Sequence, residues 1–145
     1  MIVYLDASAL VKRYIAEAGS KEVGALIAQT THLGTSLLSR VEVPAALAKA
    51  ARVGGLTQDE AAAALQVFRS QWPDLICLHP TEAIIIQADV LAWENGLRGY
   101  DAAHLASALS WEKSLGEAVT LATYDKQLWR AGQTLGLAVW PETLE

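Results

Sequence analysis

Ile2-Val3-Tyr4-Leu5-Asp6 reads as four β-favouring apolar residues closed by an acid. A short run that is apolar at every position, with no alternation, is a buried strand. The residues that follow change period: Leu10, Val11, Tyr14 and Ile15 recur at helical spacing over Ala7 to Ala18, and Gly19-Ser20 punctuates them. Strand, acid and helix make the first unit. Outward from it, a second helix is expected from about Ser20 to Gln29, with Val23, Leu26 and Ile27 inward. Thr31 to Ser36 is a short strand weakened by Gly34. Ser39 opens a helix carrying Val41, Val43 and Leu47 that ends at Gly54-Gly55, with Pro44 read as early enough to be tolerated.

The remainder keeps the alternation. Thr57-Gln58-Asp59-Glu60 is a capping box for a helix reaching Gln71. Trp72-Pro73-Asp74 turns the chain into a strand over Leu75 to Leu78. Pro80 starts a helix through Trp93 that Asn95-Gly96 ends, and Asp101 to Trp111 is helical again. Ala118 to Ala122 is a strand, Lys126 to Leu135 a helix and Leu137 to Trp140 a last strand. Strands separated by helices predict βαβ units: an α/β fold with a central, mainly parallel sheet of about five strands covered on both faces. A chain of 145 residues with no repeat, linker or low-complexity tract is expected to be one domain, 1–145.

Composition narrows the class. With 52% hydrophobic and 19% charged residues, the chain is compact rather than disordered. A net charge of −5 supplies no basic tail to attract nucleic acid, although bound divalent cations would invert the local field. The single Cys77 forms no internal disulfide, and no signal peptide is expected because Asp6 interrupts the apolar start, so the reading is a cytoplasmic protein. The longest charge-free run, Gly24 to Ser39, is interrupted by polar residues and falls short of the ~20 apolar residues of a membrane span.

Gly99-Tyr100-Asp101-Ala102-Ala103-His104-Leu105-Ala106 sets an acid at the start of an apolar helix, and three other segments carry acids in comparable places: Asp6, Glu42 and Asp125. Each has an ordinary reading. Asp6, Asp101 and Asp125 are good helix caps, and Ser39-Arg40-Val41-Glu42 fits a capping box. Together they suggest more. Asp6 and Asp125 follow predicted strands, Glu42 and Asp101 occupy first helical turns, and open α/β sheets bind ligands beyond the carboxyl ends of their strands. Two unit charges ~4 Å apart cost about 4 kcal/mol at an effective dielectric of 20, so converging carboxylates either protonate or bind cations. Oxygen donors without cysteine point to Mg²⁺ or Mn²⁺.

Leu5-Asp6-Ala7-Ser8-Ala9-Leu10-Val11-Lys12, Ser39–Glu42, Tyr100–Ala106 and Thr123-Tyr124-Asp125-Lys126-Gln127-Leu128 together resemble the ordered motifs of PIN-domain ribonucleases, and within them the VapC toxins of type II toxin–antitoxin pairs. The resemblance runs from residue 2 to about 140 with no acid missing. It implies an α/β/α sandwich, metal-dependent hydrolysis of an RNA phosphodiester and a cognate antitoxin. Carried across residue by residue, Asp6, Glu42, Asp101 and Asp125 would be the catalytic, metal-binding acids, supported by Thr123 and Ser8.

Arg98, Lys126 and Arg40 lie beside these acids in sequence and are candidates for holding RNA, each weighed against a solvated surface cation; Lys12 and Arg13 are similar. His104, three residues after Asp101, is read as a packed core-edge residue more readily than as a ligand or proton carrier. The five tryptophans read mainly as core or subunit contacts, and exposed apolar helix faces suggest a homodimer. A phosphoaspartate hydrolase would need Asp-x-Asp after the first strand, where Asp6-Ala7-Ser8 stands, and a receiver domain would need paired acids there. Two alternatives stay open: a PIN nuclease of RNA maturation without an antitoxin, and a non-catalytic binding module whose acids only cap helices.

Overall fold

A computed structural model describes residues 1–145. Five strands, β1 (Ile2–Leu5), β2 (His32–Ser36), β3 (Ile76–Leu78), β4 (Val119–Ala122) and β5 (Ala138–Trp140), form one sheet in the order β3-β2-β1-β4-β5. Every pairing is parallel. The chain steps outward from β1 to β3, then crosses back to the far side of β1 for β4 and β5. Neighbouring β1 and β4 therefore lead away in opposite directions, and a crevice opens between their carboxyl ends.

The helices are α1 (Ala7–Leu10), α2 (Ser20–Ala28), α3 (Ser39–Arg52), α4 (Gln58–Gln71), α5 (Glu82–Asn95), α6 (Gly99–Leu115) and α7 (Lys126–Thr134), with 3-10 turns at Val11–Arg13 and Trp72–Asp74. Successive β1 side chains alternate between two cores. Ile2 and Tyr4 pack with Leu91, Leu105, Trp111 and Leu128 from α5, α6 and α7. Val3 and Leu5 pack with Leu10, Leu26, Val43, Leu47 and Phe68 from α1 to α4. The result is the expected α/β/α sandwich.

Several boundaries differ from expectation for local reasons. The first helix stops after one turn and a 3-10 extension, well short of Ala18. Side chains take over the backbone groups there: Ser20 Oγ donates to the Ile15 carbonyl and accepts from Glu17 N–H, and Lys12 Nζ donates to the Ala18 carbonyl. Pro44 lies in the second turn of α3, not the first, and the helix continues through it. The 39–42 capping box does not form. Leu38 is the N-cap, Ser39 Oγ pairs with Thr35 Oγ1 at 2.7 Å, and Glu42 is engaged elsewhere. Thr81, not Pro80, caps α5. Asp101 is inside α6, whose N-cap is Arg98. The box at Thr57 and Glu60 forms as read. Gly34, a poor strand former, stands where Trp111 presses on β2: a Cβ there would lie 2.7 Å from the indole.

Candidate active site

Asp6 directly follows β1, where its N–H still donates to the Ala122 carbonyl of β4. It caps α1 and is buried, so both carboxylate oxygens need partners. Oδ1 accepts from Ala9 N–H at 3.0 Å and from Ser8 Oγ at 2.7 Å, and Oδ2 accepts from Thr123 Oγ1 at 2.6 Å. Thr123, buried at the end of β4, also accepts from Asp125 N–H at 3.0 Å. One hydroxyl thus ties the first acid to the segment carrying the last. Ser8 Oγ accepts from Tyr124 N–H at 3.0 Å, a second tie between the same loops.

Asp125 caps α7 through Oδ1, which accepts from Leu128 N–H, and turns Oδ2 outward. Arg98 bridges that oxygen at 2.8 Å and Asp101 Oδ2 at 3.1 Å. Its side chain is 75% exposed while that of Asp101 is 11% exposed, so the guanidinium rests on the rim between two carboxylates.

Glu42, on α3, and His104, on α6, belong to opposite helical layers and meet above the edge of the sheet. His104 Nε2 lies 2.6 Å from Glu42 Oε1, and its Nδ1 lies 2.7 Å from the Tyr4 hydroxyl. His104 is 1% exposed. It is packed at the core edge, as expected, and it also holds one of the four acids. Its position on the Asp101 face of α6 was the only available signal.

The electrostatics match the geometry. Burial raises the Asp6 pKa, against the lowering effects of His104, Thr123, Ser8 and Ala9 N–H. Burial and then repulsion from Asp125 raise that of Asp101, against Arg98 and His104. Burial alone would depress His104, but the Glu42 hydrogen bond and the charges of Asp6, Glu42 and Asp101 outweigh it and raise its pKa. The acids are crowded enough to feel one another. They do not close into a cage: no three His, Cys, Asp or Glu side chains surround a common point.

The flanking cations divide. Lys126 begins α7 beside Asp125, exposed and without an ion-pair partner. Arg40 turns away from the acids, its guanidinium 5.7 Å from the ring centroids of both Phe68 and Trp72. Lys12 pairs with Glu17 at 2.9 Å and stands 4.5 Å from the Tyr124 ring centroid.

The PIN domain family model matches residues 3–133, spanning all four acids. This chain belongs to the PIN-domain family. Ribonuclease VapC45 of Mycobacterium tuberculosis (strain CDC 1551 / Oshkosh) is 37% identical over 145 residues, covering 99% of this chain and 98% of its own. Among solved structures, the M. tuberculosis toxin VapC20, described as cleaving the sarcin–ricin loop, superposes with a TM-score of 0.64 at 18% identity, over 94% of this chain and 96% of that one. A toxin–antitoxin complex from Klebsiella pneumoniae gives a TM-score of 0.61 at 20% identity, over 85% of this chain and 86% of that one. The PIN fold accounts for the site's place: two acids leave the ends of the adjacent strands β1 and β4, and two arrive on helices from opposite layers.

Proposed function

We propose that this PIN domain, spanning residues 1–145, is a divalent-metal-dependent endoribonuclease of the VapC type and acts as the toxin of a toxin–antitoxin pair. The observation that carries the reading is the gathering of Asp6, Asp101 and Asp125 around Thr123 and Arg98 at the switch point, with Glu42 brought to the same edge by His104. The 37% identity to a VapC ribonuclease over nearly the whole chain supports the substrate class.

The donor set suits Mg²⁺ or Mn²⁺. It is all oxygen, burial raises the Asp6 pKa, burial and repulsion from Asp125 raise that of Asp101, and a cation relieves both penalties. Mg²⁺ keeps several waters and takes few carboxylates from the protein, so it does not call for all four acids at once. When bound, the ion would supply an activated water and screen the charge of the scissile phosphate. The chain's own part is to fix the acids. Thr123 and Ser8 hold the Asp6 carboxylate, the α7 cap holds Asp125, and α6 carries Asp101. Arg98 and Lys126 offer charge to the RNA backbone; Arg40, engaged with two rings, has the smallest share.

An antitoxin is proposed as partner from the likeness to toxin–antitoxin proteins. A homodimer is proposed from the exposed stripe Ile86, Val90 and Trp93 on α5, where Trp93 is 89% exposed. No helix is long and apolar enough to cross a membrane, and a cytoplasmic setting is proposed with it. The deciding experiment is cleavage of a structured RNA pool with Mg²⁺, Mn²⁺ or EDTA, beside Asp101→Asn. Metal-dependent cutting that the variant loses is expected. Cutting indifferent to EDTA and to the substitution sinks the mechanism.

A further inference from the structure

Asp6 is held by three donors and Asp125 by a helix cap, but Glu42 has a longer, more rotatable side chain and no bond to its own helix. Its one fixed partner is His104, which reaches it from the opposite helical layer. We propose that His104 is the positioning residue for Glu42: its Nε2–H clamps Oε1, which would leave Oε2 free for a cation, and the Tyr4 hydroxyl holds the other ring nitrogen. This rests on the reading of the four acids as a divalent-metal site.

The chemistry of the groups fixes the bond to Glu42. A carboxylate only accepts, so Nε2 carries a proton. On a neutral imidazole Tyr4 donates its hydroxyl hydrogen to Nδ1, and on an imidazolium its oxygen accepts from Nδ1–H; either way Nε2–H faces Glu42. Tyr4 and His104 are both buried, and their rings meet edge to face at 5.8 Å, so the imidazole is shielded from water and packed on one side by the Tyr4 ring. The chain Tyr4–His104–Glu42 therefore runs from β1 beneath α6 to the carboxylate of α3, and it fixes a flexible acid from outside its own helix. Partners of this kind orient ligating carboxylates and typically matter about 10–100-fold in metal affinity.

The test measures Mn²⁺ binding to the purified full chain by the EPR signal of free Mn²⁺, with folding checked by thermal melting. An asparagine amide occupies the Nδ1 end of a histidine and a glutamine amide the Nε2 end. His104→Gln therefore keeps a donor for Glu42 and His104→Asn does not. His104→Asn should weaken Mn²⁺ binding about tenfold or more, and His104→Gln should restore it to within about threefold of the parent. In a Glu42→Gln background, His104→Asn should cost nothing further: the amide oxygen can still accept from Nε2–H, but the second carboxylate oxygen and the charge that His104 would position are gone. Should His104→Asn fail to fold, Tyr4→Phe carries the test, with a drop of about threefold that vanishes in the same background. Equal losses for the Asn and Gln variants, additive losses with Glu42→Gln, or no loss in Tyr4→Phe would overturn the clamp. Binding weakened by Glu42→Gln but untouched by His104→Asn would overturn the clamp alone. A parent protein that binds no Mn²⁺, or binds it regardless of Glu42→Gln and Asp101→Asn, would overturn the metal site and the clamp with it.

Discussion

Asp6 and Asp101 are both buried acids with raised pKa values, yet they are held in opposite ways. Asp6 spends both oxygens on three donors from its own scaffold, all within 3.0 Å. Asp101 has one partner, an exposed arginine shared with Asp125. The first is an anchored carboxylate with both oxygens already hydrogen-bonded by the protein. The second is a carboxylate repelled by Asp125, which the rim arginine and, less strongly, His104 offset. The contrast sets a fully bonded acid between β1 and β4 against a sparsely bonded one on α6.

The largest effect expected is on chemistry. Asp101→Asn should cut metal-dependent RNA cleavage by more than about a hundredfold, beyond the range for outer-shell partners, measured as single-turnover rate on a defined RNA. The same substitution should leave the fold unharmed or raise its stability by about 1 kcal/mol, because it removes a repelled, desolvated charge. A clear fall in melting temperature would show that Asp101, too, is a structural anchor. Thr123→Val probes the anchored side. It leaves Asp6 Oδ2 and Asp125 N–H without their buried partner and should cost about 1–3 kcal/mol by denaturant unfolding, with Ser8→Ala costing less.

The pH dependence follows from three raised pKa values. A group that binds its proton more tightly folded than unfolded adds stability below its unfolded pKa, and that stability is lost as pH rises through its folded pKa. For Asp6 and Asp101 the window runs upward from the ordinary value of 3.8, and for His104 upward from 6.5. The melting temperature should therefore fall between mildly acidic and mildly alkaline buffer, and saturating Mn²⁺ should flatten the fall by relieving the carboxylates. A melting temperature that rises with pH would contradict these signs. The smallest effect belongs to the rim. Arg98→Ala should barely move stability, as an exposed ion pair is worth about 0–1 kcal/mol, yet should lower the salt slope of RNA binding by about one unit.

Much of the scaffold could be read along the chain. Strand β1 is apolar at every position because both of its faces are buried, and that signal needs only local composition. The caps at Asp6, Thr57 and Asp125 also lie within three residues of their partners. Neither Asp6 nor Asp125 had to choose between capping a helix and joining the acid group, since each carboxylate has two oxygens. Ser39–Glu42 shows the limit. The motif was right for a capping box, but Thr35 claims the serine and His104 claims the glutamate, through contacts that no local pattern encodes.

The sequence by itself determined the order of strands and helices, the parallel sheet and the four acids at element ends, because periodicity, turn residues and caps act over a few positions. The tertiary structure alone decided which partners those acids received. Thr123 reaches Asp6 across 117 residues of chain, Arg98 joins Asp101 to Asp125, and His104 meets Glu42 across 62. Each of these bonds exists because the crossover to β4 brings distant segments to one edge of the sheet, and a buried carboxylate must find its donors wherever the fold delivers them.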